Sequence, residues 1–166
     1  MRVSISVSFD LNLAERIFGL RAALDGPDLE FVRPHITLLS AEVESAFALA
    51  DVVERLMLGH WPFPIALSGI GWFAHTYLYL DVVQNTALRD LQQQVFHAIT
   101  QITELDRPYY RPEVWRPHVT LAAVTGASVP SYVKSFTSDE IFPGFVCSAS
   151  IKLLPVDKDI VKWEFS

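Results

Sequence analysis

Hydrophobic and polar residues alternate strictly near the start of the chain, where residues 3–9 place apolar side chains on one face and serines on the other. A period of two residues is typical of a β-strand that buries one face. Residues 12–24 change to a helical period, with an apolar stripe and a capping-box-like start at Asn12 and Glu15. The pattern therefore predicts a half-buried strand followed by an amphipathic helix.

The same strand and helix periods recur along the rest of the chain and predict its further elements. Helices are predicted over 41–58, with Ser40 as the N-cap, over 86–105, and over a short segment begun by Pro130. Hairpins are predicted for 64–73 with 76–83 and for 145–156 with 159–165. Because hairpins alternate with helices, we expect an α+β fold with antiparallel sheets and flanking helices rather than a doubly wound parallel sheet.

A six-residue segment occurs twice in the chain. Residues 33–38 are Arg-Pro-His-Ile-Thr-Leu and residues 116–121 are Arg-Pro-His-Val-Thr-Leu, at an offset of 83, which is half of the 166 residues. The same offset superimposes the two predicted hairpins, and such periodicity indicates a duplication. We expect a bilobal fold in which repeats of about 1–83 and 84–166 are related by a pseudo-two-fold axis and share a central cleft. No linker-like composition separates the repeats, so residues 1–166 are expected to form a single domain.

Each copy carries a histidine and a threonine two residues apart. Residues i and i+2 of a strand project from one face, so His35 points the same way as Thr37, and His118 the same way as Thr120. Near neutral pH one imidazole can accept a proton while the other donates one, and each hydroxyl can donate to a phosphate oxygen. A duplicated packing role would preserve the apolar pattern without needing both polar residues. We therefore predict that these four side chains perform metal-free phosphodiester chemistry.

Composition narrows the class of partner. The chain is 51% hydrophobic and carries 13 basic against 19 acidic side chains, a formal charge of −6. That balance argues against binding long nucleic acid, which requires many Lys and Arg on phosphates, and no segment is apolar enough to span a membrane. Cys147 is the only cysteine, which excludes an intramolecular disulfide. We expect a cytoplasmic monomer that binds a small or terminal phosphate.

The two motifs, His-Ile-Thr-Leu from His35 and His-Val-Thr-Leu from His118, resemble those of the 2H phosphoesterase superfamily and, within it, the bacterial 2'-5' RNA ligase-like (LigT-like) proteins. The resemblance covers essentially the whole chain in length, element order and both motifs. It implies activity on 2',3'-cyclic phosphates or 2'-5' phosphodiesters of RNA ends or small nucleotides, with reverse 2'-5' ligation as a further activity and no cofactor. It also implies that one histidine is the general base and the other the general acid, while Thr37 and Thr120 hold the phosphate.

One position departs from the family pattern, and other residues are candidates for binding the substrate. Members that act on RNA often carry a basic residue in an HxTLAR motif, where this chain has Ala122 and Ala123. Arg33 and Arg116 precede each histidine by two residues, which on strand geometry would place them on its face, although the prolines between them blur that placement. A surface salt bridge at the rim of the cleft is the alternative role for both arginines.

A loop ahead of the second motif adds Arg111, Tyr109 and Tyr110 to the binding candidates. Basic residues among aromatic ones suit a strand end, because Arg engages phosphate and rings stack on bases. The alternative is a loop whose aromatic residues only cover the core. Trp72, at a predicted hairpin tip, is the remaining candidate for base stacking.

Two other functions remain open on the sequence. The fold could be a non-catalytic module that binds a nucleotide or an RNA end, or the two histidines could ligate a metal. Intact motifs in both repeats favour an enzyme over the binding module. Two histidines without a third convergent ligand make a poor zinc or iron site, so we expect no metal.

Overall fold

The computed structural model describes residues 1–24, 32–73, 77–105, 107–123 and 140–166, and within them seven strands and three α-helices. In chain order these are β1 (Arg2–Phe9), α1 (Leu11–Ala23), β2 (His35–Glu42), α2 (Phe47–Met57), β3 (Phe63–Phe73), β4 (Tyr77–Val82), α3 (Thr86–Thr100), β5 (His118–Ala123), β6 (Ile141–Leu153) and β7 (Lys158–Glu164), with a short 3-10 turn at Pro108–Tyr110 before β5. The predicted helix at Pro130 and the tip of the first predicted hairpin, residues 74–76, lie outside the described residues.

The predicted start of the second helix was wrong. Ser40 is not an N-cap, because it lies in β2 opposite Ser4 of β1, and α2 begins only at Phe47. The strand continues because pairing with β1 satisfies its backbone, an interaction between distant segments that local sequence does not reveal. The first helix also starts earlier than predicted: the Asp10 side chain is its N-cap and accepts a hydrogen bond from the Leu13 N–H at 3.0 Å.

The strands form one antiparallel sheet in the order β2-β1-β6-β3-β4-β5, with β7 paired to β6. The long strand β6 belongs to two groups of strands, because its first part pairs with β3 and its second part lies between β1 and β7. We call β2-β1-β6-β7 the first lobe and β5-β4-β3-β6 the second lobe. The α+β class with antiparallel pairing is confirmed, and each motif strand is an edge of the sheet.

The core lies between the sheet and the helices. The apolar residues of β1 are at most 1% exposed and belong to one cluster with the buried face of α1, including Leu13 and Ile17. The expectation that β1 is only half-buried was wrong, since Ser4, Ser6 and Ser8 on its other face are also buried. This strand lies between β2 and β6, so neighbours flank its small side chains on both sides. In the part of the chain described, no helix combines the length and apolar character needed to cross a membrane.

Candidate active site

Both motif strands begin at their histidine, directly after a proline. Proline has no N–H to contribute to a ladder, which suits the start of an edge strand. The Nδ1 atom of His35 lies 2.9 Å from the carbonyl oxygen of Arg33, and Nδ1 of His118 lies 2.8 Å from that of Arg116. A carbonyl accepts only, so each Nδ1 carries a hydrogen and donates it. In the neutral form of each ring the lone pair is therefore on Nε2.

The two motif strands lie beside each other, with some Cα atoms of β2 within 8 Å of Cα atoms of β5. Two side chains connect them. Arg21 of α1 donates from Nη2 to the carbonyl of Thr120 at 2.7 Å, and from Nη1 to the carbonyl of Val32. Trp115 donates from Nε1 to the carbonyl of Thr37 at 3.1 Å. Residue 32 is thus joined to residue 120 and residue 37 to residue 115, so the two segments run antiparallel.

The two histidines lie between these connections along the chain, His35 between residues 32 and 37 and His118 between residues 115 and 120. Each motif has the same burial pattern, in which the histidine and threonine are partly exposed and the residues between and after them are buried. Both imidazoles and both hydroxyls therefore lie on the side of the sheet opposite the core. These bonds place the segment that carries His35 and Thr37 beside the segment that carries His118 and Thr120.

The first imidazole lies near a carboxylate from the turn between β6 and β7. Nδ1 of His35 is 3.8 Å from Oδ2 of Asp157, and the ammonium of the buried Lys152 is 3.3 Å from carboxylate oxygens of both Asp157 and Asp159. Burial lowers the pKa of His35 below its usual value; the Asp157 charge opposes that shift and the Lys152 charge adds to it. The neutral form of His35 is favoured by burial, and its imidazolium is favoured by Asp157.

The second imidazole lies against aromatic rings. The rings of Phe73 and Tyr79 meet His118 edge-on, with centroid distances of 4.6 and 5.4 Å, and they stack on each other at 4.3 Å. Burial lowers the pKa of His118, while its bond to the Arg116 carbonyl and the charge of Asp81 oppose the shift. The two histidines therefore share a hydrogen-bonding arrangement and differ in their surroundings.

The arginines before the motifs lie outside the strands, although strand geometry would have put them on the histidine face. Arg116 forms an exposed ion pair with Asp81, at 2.7 Å, and its guanidinium lies 5.3 Å from the centroid of the Tyr79 ring. Arg33 donates from Nη2 to the carbonyl of Phe9 at 3.3 Å. The ion pair of Arg116 with Asp81 matches the surface salt bridge that the sequence suggests as the alternative role for this arginine.

The remaining binding candidates occupy two other places. Tyr109 and Tyr110 form a ring pair at 4.8 Å in the 3-10 turn, which contacts β2. Tyr110 is partly buried and packs against the core, whereas Tyr109 and Arg111 are exposed. Trp72 pairs with Leu78 in the sheet and packs against the core, whereas its neighbour Phe73 contacts His118. Of these two neighbours in β3, Phe73 is therefore the one whose ring contacts a motif histidine.

Several residues of the site do not follow from the motifs: Phe73, Tyr79, Asp81, Lys152, Asp157, Arg21 and Trp115. One sequence signal points to Arg21: it lies one helical turn after Ile17, on the apolar stripe of the first helix. In the structure its side chain is 4% exposed. Burial lowers its pKa to about 10, so it stays charged at neutral pH. A cation in a core stripe needs buried acceptors, and here they are carbonyls.

Several solved structures share this fold. TT0787, a protein of Thermus thermophilus, matches with a TM-score of 0.72 and 16% identity over 99% of this chain and 98% of that one. E. coli LigT, crystallised with NADP+, matches with a TM-score of 0.66 and 16% identity over 99% and 97% of the two chains. Kluyveromyces marxianus Usb1 gives a TM-score of 0.57 and 14% identity over 99% and 98%. A comparison with curated protein sequences finds no match.

The sequence identifies the family directly. The family model of the 2'-5' RNA ligase superfamily matches residues 9–143, which contain both histidine motifs. The chain therefore belongs to the 2'-5' RNA ligase superfamily, the 2H phosphoesterases.

Proposed function

We propose that this protein is a metal-independent phosphodiesterase that opens 2',3'-cyclic phosphates or cleaves 2'-5' phosphodiesters at RNA ends or in small nucleotides. The observation that carries the proposal is the matched hydrogen bond of the two imidazoles, each from Nδ1 to the carbonyl two residues before. That bond holds the tautomer and leaves both Nε2 atoms available for proton transfer. One ring can then act as base while the other acts as acid.

In this mechanism a water or hydroxyl attacks phosphorus as its proton passes to Nε2 of the neutral histidine. The P–O bond to the leaving oxygen breaks as the imidazolium of the other histidine gives that oxygen its proton. Thr37 and Thr120 donate hydrogen bonds to the non-bridging oxygens, where negative charge increases in the transition state. When the 5'-hydroxyl of a second nucleotide attacks the 2',3'-cyclic phosphate in place of water, the P–O bond to the 3'-oxygen breaks, that oxygen takes the proton from the imidazolium, and the product is a 2'-5' linkage. Both lobes contribute to the site, so the chain acts as one unit.

The superfamily and the charge of the chain support a small substrate. Structures of E. coli LigT, a protein of this fold, have been determined with 3'-AMP, ATP and phosphate. The formal charge of −6 disfavours a long polyanion. Arg33, Arg116, Arg111, Tyr109, Tyr110 and Trp72 remain the proposed substrate-binding residues, and Ala123 stands where RNA-directed relatives often carry arginine. We propose a monomer in the cytoplasm that acts on a nucleotide or an RNA terminus.

Replacing either histidine tests the mechanism. His35→Ala and His118→Ala should each lower kcat for a 2',3'-cyclic nucleotide by about 10²- to 10⁴-fold, because each removes one proton-transfer group. His97→Ala, an exposed histidine on α3, should leave kcat unchanged. The measurement is product formation by chromatography, in EDTA, with a panel of cyclic nucleotides, 2'-5' dinucleotides and ADP-ribose cyclic phosphate.

Near-full activity of either motif variant in a clean preparation would show that the two-histidine mechanism is wrong. Loss of wild-type activity in EDTA, restored by a divalent metal, would instead support a metal site. Measurable nucleotide affinity with no product over hours would identify a non-catalytic binding module.

A further inference from the structure

The two motif strands are the two edges of an open sheet, yet they lie side by side. An edge strand presents backbone carbonyls that need partners once they are buried. Among the described residues, side chains from other elements satisfy them: Trp115 bonds the carbonyl of Thr37, Gln92 of α3 bonds that of Leu38 at 3.3 Å, and Arg21 bonds that of Thr120. The two edges are therefore joined by side chains.

These bonds are reciprocal between the lobes. Arg21 comes from α1, next to the first lobe in the chain, and bonds the motif strand of the second lobe. Trp115 lies three residues before His118 and bonds the motif strand of the first lobe. In both cases the acceptor is the carbonyl of the motif threonine, two residues after the histidine. Each catalytic strand is thus held by the half of the chain that carries the other one.

The hydrogen bonds of Arg21 and Trp115 run between the two edges. Two strands that paired directly would lie about 4.8 Å apart, which leaves no room for a phosphate between their histidines. Arg21 and Trp115 are 4% and 5% exposed, so neither is free to change its conformation as a surface side chain is. The guanidinium is also fixed by three donor groups, with Nε and Nη2 on Thr120 and Nη1 on Val32.

We infer that Arg21 and Trp115 are positioning residues that hold the two motif strands at the separation at which a phosphate fits between His35 and His118. This inference rests on the proposed function, because it assigns the two side chains a task in that reaction. They do not touch the reacting atoms; they act through the backbone of Thr37 and Thr120.

The test compares variants that remove each bond with matched variants elsewhere. Trp115→Phe removes the indole donor and keeps most of the packing, and its control is Trp163→Phe, which alters another partly buried tryptophan packed on the core. Arg21→Lys keeps the charge and loses the forked donors, and its control is Arg16→Lys on the same helix. Trp115→Phe and Arg21→Lys should each lower kcat for a 2',3'-cyclic nucleotide about 10- to 100-fold with KM near the wild-type value, since misplacement by about 1 Å has effects of this size.

A second measurement determines the separation of the two motif strands and does not depend on enzymatic activity. Spin labels at Glu42→Cys on β2 and Glu113→Cys in the segment before β5 report the distance between the two motif segments in a Cys147→Ser background. Both positions are exposed, and the antiparallel arrangement of the segments places them near the same level. The distance distribution should broaden or shift in Trp115→Phe and Arg21→Lys and stay unchanged in the two controls.

The outcomes separate this inference from the proposed function. Reduced kcat together with an altered distance distribution supports the positioning role. Positioning variants that match their controls in both measurements overturn it, and so does a fall in kcat without any change in the distribution. A wild-type protein that turns over no substrate on the panel counts against the proposed function, and the distance measurement still decides whether Arg21 and Trp115 set the spacing.

Discussion

His35 and His118 have the same internal hydrogen bond but different neighbours. His35 has Asp157 on one side of Nδ1, and His118 has the edges of Phe73 and Tyr79. Duplication accounts for the shared bond, since both motifs have the same sequence from arginine to leucine apart from one Ile/Val exchange. The neighbours come from β3, β4 and the turn after β6. The two rings can therefore titrate differently, as an acid and a base must.

Asp157→Asn should shift one limb of the pH profile of kcat/KM to lower pH. The carboxylate favours the imidazolium of His35, whereas Lys152 and Arg21 disfavour it, so removing the carboxylate lowers the pKa of His35 further. The carbonyl of Arg33, which also faces Nδ1, is unchanged by the substitution. Steady-state kinetics between pH 4.5 and 8.5, about two pH units on either side of the usual histidine pKa of about 6.5, would show the shift.

Asp81→Asn is the matched control for this experiment. Asp81 raises the pKa of His118, so its removal should move the other limb to lower pH and leave the limb of His35 in place. The pair of variants would also show which histidine is the base, because the base controls the acidic limb. Two variants that moved the same limb would contradict the assignment of each carboxylate to its own histidine.

At the scale of elements, β3 and β4 shape the wall beside His118. Tyr79 of β4 is 1% exposed and its ring lies directly over Gly71 of β3, where a Cβ atom would collide with the ring carbons. Glycine is required here by close approach of a side chain, and the backbone at Gly71 needs no unusual φ. The Tyr79 ring can occupy this place beside His118 only while residue 71 is a glycine.

Gly71→Ala should therefore reduce both stability and activity. Forcing the Tyr79 ring away costs about 1–3 kcal/mol as an overpacking effect, and the displaced ring moves against His118. Urea unfolding and kcat measured on the same preparation check the two effects. Gly19→Ala on α1 is the control, because no atom lies within 4 Å of its added Cβ and alanine favours a helix by about 0.5–1 kcal/mol. Equal stability of Gly71→Ala and wild type would contradict the packing described here.

Elements with a clear hydrophobic period were predicted well, and their ends less well. The stripe of the third helix continues to Ile102 in sequence, but α3 ends at Thr100 and Ile102 is 51% exposed. Ser40 has the properties of an N-cap and is nonetheless part of β2. In both places the chain pairs with another segment: Ser40 pairs with Ser4 of β1, and Leu105, beyond α3, forms a bridge to Ala41 of β2. Local helix and strand preferences are weak, and pairing of this kind overrides them.

At the scale of the whole molecule, the two histidines should make stability depend on pH. Burial lowers the pKa of both below the unfolded value of about 6.5, so the unfolded chain takes up protons first when the pH falls through that value. The free energy of unfolding should therefore decrease as the pH falls below about 6.5, and this contribution stops changing below the folded-state pKa values. Urea titrations at a series of pH values measure it.

The variant His35→Gln/His118→Gln isolates that contribution. Its free energy of unfolding should change less between pH 8 and pH 5, a range that includes the unfolded pKa of about 6.5, than that of the wild type. An equal pH dependence in the two proteins would show that other groups, such as the surface carboxylates, dominate the acid side.

The sequence by itself determined the periods of the strands and helices, the duplication and the two His-x-Thr motifs, because these depend on which face of a local element a residue occupies. Only the tertiary structure decided what surrounds each histidine and what joins the two edges. Asp157 lies 122 residues from His35, and Arg21 lies 99 residues from Thr120. Such contacts depend on strand order and register, which pair distant segments of the chain, and no local pattern specifies them.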